Sequence, residues 1–261
     1  THCPSCARQL FVDLKPKGVW GIGPSIVARG DASGGPKGSA WVCALWGTEP
    51  KVFIDAMVLG NSLARSGTIY RKVLLIPNAA RQSEAASVLS MWWEVMPIDR
   101  VRASPRLFSP NCREKFFETF NKLRAWEAMA GSQRAVLLDV DLLFRRNCDE
   151  LMGMPVPCAY MRGHRIPRPG EQRPHEAFYG KDGWHKFGVN AGVIVFEPSA
   201  RRGREMIAEV GADSDAHIPS RAPEQDYISR EHAEEWHALH PKYNFQTHQL
   251  LFAAKEQRKS D

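Results

Sequence analysis

The sequence predicts an α/β fold with a mainly parallel central sheet, and three observations predict it. Continuous apolar runs of strand length, as expected for strands buried on both faces, alternate with stretches of helical spacing. That alternation recurs along most of the chain, the pattern of parallel sheets linked by crossover helices. One apolar run also stops at two aspartates, Asp139 and Asp141, where open α/β sheets place their ligands.

Residues 1–39 are rich in Gly, Pro, Ser and Lys, and Gly30 to Gly38 holds four glycines and one proline. This segment reads as irregular chain ending in a linker. The run Ala40 to Trp46 predicts the first strand. Phe53 to Arg65 carries apolar residues at helical spacing and stops before Gly67. Lys72 to Pro77 predicts a second strand, Gln82 to Leu89 a helix, and Trp92 to Ile98 a third strand. Glu114 to Ala130 predicts a long amphipathic helix with Gly131 at its end, and Arg134 to Leu138 a fourth strand. Strands at Val156–Met161 and Val189–Phe196 follow, then helices near Ser199–Val210 and Pro223–Ala233. Residues 251–261 read as a tail, the chain being cut short there on one reading.

Side chains two apart on an extended chain share a face, so Asp139 and Asp141 project into one small volume. Two ionised carboxylates repel there unless a cation or strong donor lies between them. Oxygen ligands suit Mg²⁺ or Mn²⁺, which carboxylates hold together with substrate phosphates. Against this stands the commonest use of Asp-x-Asp, an exposed turn or helix start.

Composition narrows the function classes. The chain has 261 residues, 43% hydrophobic and 25% charged, with a net charge of +6. No run of about 18 apolar residues is present, so no transmembrane helix is predicted. The positive charge suits an acidic partner such as a nucleotide diphosphate. Lys and Arg are spread along the chain without a zinc-finger, basic-zipper or stacked-aromatic pattern, which argues against nucleic acid. The densest basic stretch, Arg162 to His175, reads as a solvated loop, with gating of a site as the sharper alternative. Among six cysteines, Cys3-Pro4-Ser5-Cys6 is a lone C-x-x-C: half a metal site, a disulfide, or neither. Cys43 reads as a small core residue. The chain starts at Thr1 without a methionine or signal-peptide pattern, which reads as a fragment and leaves Golgi lumen and cytoplasm both open.

Six segments then occur together in order: Leu59-Gly60-Asn61-Ser62-Leu63; Asn121-Lys122-Leu123-Arg124-Ala125-Trp126; Leu138-Asp139-Val140-Asp141 with Asn147-Cys148-Asp149-Glu150-Leu151; Asn190-Ala191-Gly192-Val193; Glu224-Gln225-Asp226-Tyr227; and Tyr243-Asn244-Phe245. In that order they resemble the glycogenin-like retaining nucleotide-sugar glycosyltransferases (glycosyltransferase family 8), over roughly residues 40 to 246. The resemblance implies a Rossmann-like nucleotide-binding domain of GT-A type over residues 40–250. It implies a UDP-sugar donor and Mn²⁺ or Mg²⁺ held by Asp139 and Asp141. It further implies donor contacts from Leu45, Thr48, Arg113, Lys122, Val140, Asn190, Ala191 and Gly192. Glu224, Gln225 and Lys122 are implied at the reacting sugar, Glu224 standing where the family carries aspartate. The same Pro223-Glu224 pair is also a good helix start, and Asn190-Ala191-Gly192 also reads as a plain turn into a strand at Val193.

Two departures accompany the resemblance. The family's base-stacking tyrosine aligns with Val52, with Phe53 beside it as a substitute. Its third metal ligand, a histidine in an H-x-x-G-x-x-K-P-W segment, has no counterpart, and His240 and His248 read as surface residues. The expected function is transfer of a hexose to an unknown acceptor, with oligomerisation left open. An inverting transferase and a catalytically impaired nucleotide- or glycan-binding protein are the alternatives.

Overall fold

A computed structural model describes residues 38–110, 112, 114–162, 188–233 and 235–246. The described residues fall in the unit Ser33–Asp261. Cys3, Cys6, Arg113, His248, the tail from 251 and nearly all of the Arg162–His175 stretch lie outside the described residues.

Among the described residues seven strands form one sheet in the order β3-β2-β1-β4-β6-β5-β7. They are β1 (Ser39–Ala44), β2 (Arg71–Pro77), β3 (Glu94–Ile98), β4 (Arg134–Leu138), β5 (Cys158–Met161), β6 (Val189–Phe196) and β7 (His237–Ala238). β1 pairs in parallel with β2 and β4, β2 with β3, and β5 with β7. β6 runs antiparallel to β4 and β5. The sheet is therefore mixed but mostly parallel, as the sequence predicts. Pro97 is tolerated in β3 because, among the described residues, that strand is an edge paired with β2 alone.

Alternation along each strand divides the core into two layers. Ala40, Val42 and Ala44 of β1 join Ala135 and Leu137 of β4 on one face. Trp41, Cys43, Val136 and Leu138 lie on the other. The first face is covered by Phe120, Leu123 and Trp126, by α4 (Ala200–Gly211) through Met206 and Val210, and by α5 (Pro223–Glu231) through Tyr227 and Ile228. The second is covered by α1 (Pro50–Arg65), through Val52, Phe53, Ala56, Leu59 and Leu63, and by α2 (Glu84–Leu89). Strands buried on both faces have no polar side to alternate with, which is why they read as continuous apolar runs.

Helix ends follow local chemistry. Pro50 starts α1 in its first turn, and Gly67 follows the end of that helix with φ +77°. Ser83 and Ser199 cap α2 and α4 by accepting the N–H of Ala86 and Arg202. Gly60 lets α1 close onto Trp93, whose Nε1–H donates to Ala56 O at 2.9 Å; a Cβ on Gly60 would lie 2.2 Å from that nitrogen.

Three expectations need correction. Glu114–Ala130 is not one α-helix: Glu114–Leu123 is 3₁₀-helical, and only α3 (Arg124–Ala128) is α. Phe117, Phe120 and Leu123 recur every third residue, the repeat of a 3₁₀ turn. The first strand ends at Ala44, short of Trp46, and the third, fifth and second-helix boundaries each begin two residues later than predicted, at Glu94, Cys158 and Glu84. Asn190-Ala191-Gly192 is no turn before a strand: all three belong to β6.

β6 carries the irregularity that matters most. Asn190 pairs with Tyr160 but Ile194 pairs with Ala159, so Ala191, Gly192 and Val193 have no partner on β5. The pairing with β4 runs unbroken, from Ala135 opposite Phe196 to Leu138 opposite Val193. An odd number of extra residues reverses the alternation of side chains. Val189 and Ala191 accordingly share a face with Ile194 and Phe196, while Val193 and Val195 take the other.

Candidate functional site

At the carboxyl ends of β1 and β4 a cavity of about 260 Å³ opens, and Lys122, Asp139, Val140, Asp141, Glu224 and Gln225 line it. Trp46, Phe116, Thr119, Ala222 and Pro223 complete the lining. Topology orders these groups. Cys43 is in register with Leu138, so Trp46 and Asp141 sit at the same level just past neighbouring strand ends. Beyond β4 comes the start of β6, and α5 packs against β6. The cavity thus runs from an aromatic end at Trp46, past the aspartates, to Glu224 and Gln225.

Asp139 is fixed by backbone, its N–H donating to Gly192 O at 2.8 Å. Val140 turns inward and is 3% exposed, leaving Asp139 and Asp141 together on the cavity wall. Partial desolvation and the neighbouring Asp139 charge push the Asp141 carboxyl above its usual range.

Lys122 is the hub. Its Nζ lies 2.6 Å from Asp139 Oδ1 and 3.3 Å from both oxygens of Glu224, and donates to Ala191 O at 3.5 Å. Lys122 and Glu224 are each 5% exposed. Burial opposes the lysine charge, but Asp139 and Glu224 more than offset it and hold the ammonium above the ordinary lysine range. Burial pushes the Glu224 carboxyl up to about 7, with Lys122 opposing and Asp139 adding to the rise. Glu224 Oε1 is buried without a hydrogen bond of good geometry, although Nζ is near. Glu224 Oε1 is thus an unused acceptor buried in the cavity wall beside Lys122. Glu224 and Asp226 also occupy the first turn of α5 behind Pro223, so the helix-start reading and the site reading hold together.

The β6 bulge supports this cluster from behind. Gln225 Oε1 accepts the Ala191 N–H at 3.1 Å, which leaves the amide Nε2 for a ligand. Asn190 Oδ1 accepts from Gly192 N at 2.9 Å and from Asn244 Nδ2 at 2.7 Å. A Cβ on Gly192 would sit 2.8 Å from Asn190 Oδ1, so any larger residue must push the Asn190 amide off its hydrogen bonds. Behind α5, Asp226 is 1% exposed and accepts from Arg162 at 2.6 Å and from Ser220.

Some sequence-predicted residues lie elsewhere. Leu45 is fully buried in the core; its carbonyl accepts from Asn121 Nδ2 at 3.1 Å, so the side chain cannot meet a ligand in the cavity. Thr48 is exposed and outside the cavity lining. None of Asn190, Ala191 and Gly192 lines the cavity: Ala191 and Gly192 hydrogen-bond the lining residues Gln225 and Asp139, and Asn190 holds Gly192 and Asn244. Val52 and Phe53 are 1% and 6% exposed and pack under the sheet, so neither is available for stacking on a base. The aromatic surface is supplied instead by Trp46 and Phe116, and a break in the apolar run after Ala44 would have revealed Trp46. Asp149 is structural: it accepts the N–H of Ile69 and the hydroxyl of Thr68, which itself accepts from Trp41 Nε1.

The chemistry of a divalent cation fits Asp139 and Asp141. Burial first, and then the neighbouring Asp139 charge, raise the Asp141 carboxyl, and a cation between the two would favour its ionised form. Among the described residues no third His, Cys, Asp or Glu gathers with them. Two carboxylates completed by substrate phosphates is the usual Mg²⁺ arrangement.

No protein-family profile matches the chain. It is 25% identical over 208 residues to the uncharacterized protein R707 of Acanthamoeba polyphaga mimivirus, covering 79% of this chain and 72% of that protein. Among solved structures it is similar to the galactosyltransferase LgtC, determined with donor and acceptor sugar analogues. That match has a TM-score of 0.54 at 19% identity, over 78% of this chain and 74% of the other. The glycosyltransferase GlyE of Streptococcus pneumoniae TIGR4 matches with a TM-score of 0.50 at 16% identity, over 85% of this chain and 50% of its own. The bifunctional glycosyltransferase WbbM gives 0.52 at 13%, over 80% and 40%. The fold is the GT-A glycosyltransferase fold, an α/β Rossmann-like architecture.

Proposed function

We propose that this protein is a retaining glycosyltransferase that moves a hexose from a UDP-sugar to an acceptor, with Mn²⁺ or Mg²⁺ at Asp139 and Asp141. The observation that carries the reading is the order of groups along one cavity: Trp46, then the aspartates with Lys122, then Glu224 and Gln225. A nucleotide-sugar has the same order of chemistry, a flat ring, a diphosphate and a polyhydroxyl ring. Trp46 stacks on the base. Lys122 offers positive charge to the diphosphate, stabilising negative charge that develops as the sugar departs. Glu224, which lines the cavity, and Gln225, whose amide nitrogen is left over from its bond to Ala191, meet the sugar. A bound cation supplies Lewis-acid neutralisation of the leaving diphosphate. Retention of configuration and the glycogenin-like family are supported by the six ordered motifs.

A screen of UDP-sugars with Mn²⁺, measuring UDP release, tests this directly. Turnover of at least one UDP-hexose that disappears in Asp139→Ala is expected, with the product anomer matching the donor. Turnover unchanged in Asp139→Ala removes the cation role, and an inverted product removes retention. One observation favours a second reading, a binding protein without turnover: Lys122 already neutralises Asp139 in the protein itself. Titration of UDP with and without Mn²⁺ separates the two, because metal-independent binding without hydrolysis favours the binding protein.

A further inference from the structure

An ammonium group has three N–H donors and no acceptor. Lys122 has a protein acceptor for each of them: Asp139 Oδ1 at 2.6 Å, Glu224 at 3.3 Å and Ala191 O at 3.5 Å. The closest of the three belongs to a carboxylate of the candidate cation pair. With all donors engaged, Lys122 cannot also reach a phosphate unless one of these contacts opens. The contact that opens at least cost is the one to Asp139, because Asp139 is one-third exposed while Glu224 and Ala191 are buried. Released from Asp139, Lys122 still has Glu224 and Ala191 to hold it at the cavity wall.

We propose that Lys122 is an internal competitor of the divalent cation, so that cation and lysine exchange at Asp139. This rests on the donor-and-cation reading above. Without donor, the ammonium occupies Asp139 and weakens cation binding. A diphosphate draws the same ammonium toward its own oxygens and frees Asp139 for the metal. Nucleotide and cation then strengthen each other, by reciprocity of coupled binding. The device also prevents the exposed carboxylate pair from holding a cation tightly when there is no substrate to use it.

The test is Mn²⁺ affinity of the full chain without nucleotide, read from the electron paramagnetic resonance signal of free Mn²⁺. The forms compared are the wild type, Lys122→Met, and the double variant Lys122→Met/Glu224→Gln. The double variant removes one positive and one negative charge, so the net charge of the site is unchanged and no buried carboxylate is left without its lysine. Circular dichroism establishes that each form is folded. Competition at Asp139 predicts Mn²⁺ binding about tenfold tighter in both variants, the scale on which partners of metal ligands act. Equal or weaker binding in the double variant overturns the proposal, and so does tightening confined to the single variant, which would be a net-charge effect. If wild type and variants bind Mn²⁺ alike and UDP enhances it, the donor-and-cation reading stands and the competition alone fails. Absence of Mn²⁺ binding in every form, with UDP present, overturns both.

Discussion

Replacing Glu224 by glutamine should change how stability depends on pH, and the structure gives sign and size. Glu224 is 5% exposed and its carboxyl is pushed from 4.5 up to about 7, mainly by burial. Between those two values the folded protein holds a proton that the unfolded chain has released. Stability therefore falls as pH rises through this window and levels off above it. A rise from 4.5 to about 7 corresponds to roughly 3 kcal/mol. Glutamine keeps the shape and cannot titrate, so the difference between wild type and Glu224→Gln should move by roughly 3 kcal/mol in favour of the variant from pH 4.5 to 7.5. For a domain of this size that is on the order of 6 to 12 °C in relative Tm. Urea unfolding at pH 4.5, 6 and 7.5, in buffer with a chelator, measures it. A wild-type-to-variant difference that stays flat across the three pH values, or that shifts in favour of the wild type, would refute the assignment of Glu224 as a carboxyl held against its charge.

Other perturbations follow from single contacts. Gly192→Ala places a Cβ 2.8 Å from Asn190 Oδ1, and should cost about 1–3 kcal/mol in urea unfolding with weaker UDP binding by calorimetry. Asp226→Asn removes the buried negative charge that Arg162 and Ser220 meet on α5; a loss of about 3 kcal/mol is expected, read as a fall in Tm, and a change under about 1 kcal/mol would show that charge to be dispensable. His232 has its pKa lowered by burial, so its contribution is present above about 6.5 and is lost as pH falls below it. His232→Gln should flatten that acid-side decline in thermal melts.

The strands β1, β2, β4 and β6 were legible because each is buried on both faces and so reads as an unbroken apolar run. β7 was not, since a two-residue strand has no periodicity to detect. The segment Glu114–Leu123 was read as α because apolar residues three apart satisfy both helical repeats, and tertiary packing of Phe120 and Leu123 decided between them. In the cavity, Asp139, Asp141, Lys122, Glu224 and Gln225 announced themselves through charge and motif. Trp46 did not, because it continues an apolar run whose strand stops two residues before it. Leu45 lies in the same loop, with its side chain facing the core. The supporting contacts of Asn190, Asn244 and Asp226 join residues up to 64 apart and left no local pattern.

β6 is one strand read in two phases. Before the interruption at Ala191–Val193 the odd-numbered side chains face one layer of the core, and after it the even-numbered ones do. The half that touches β5 near Tyr160 and the half that completes the inner sheet are thus free to vary independently. Core substitutions at Ile194 or Phe196 can be accommodated without turning Asn190, whereas deleting one residue between Ala191 and Ile194 would leave two extra residues, make the alternation of faces uniform and rotate one half out of place. Variation in length should therefore be excluded from these three positions, while variation in side-chain size is admitted on either side of them.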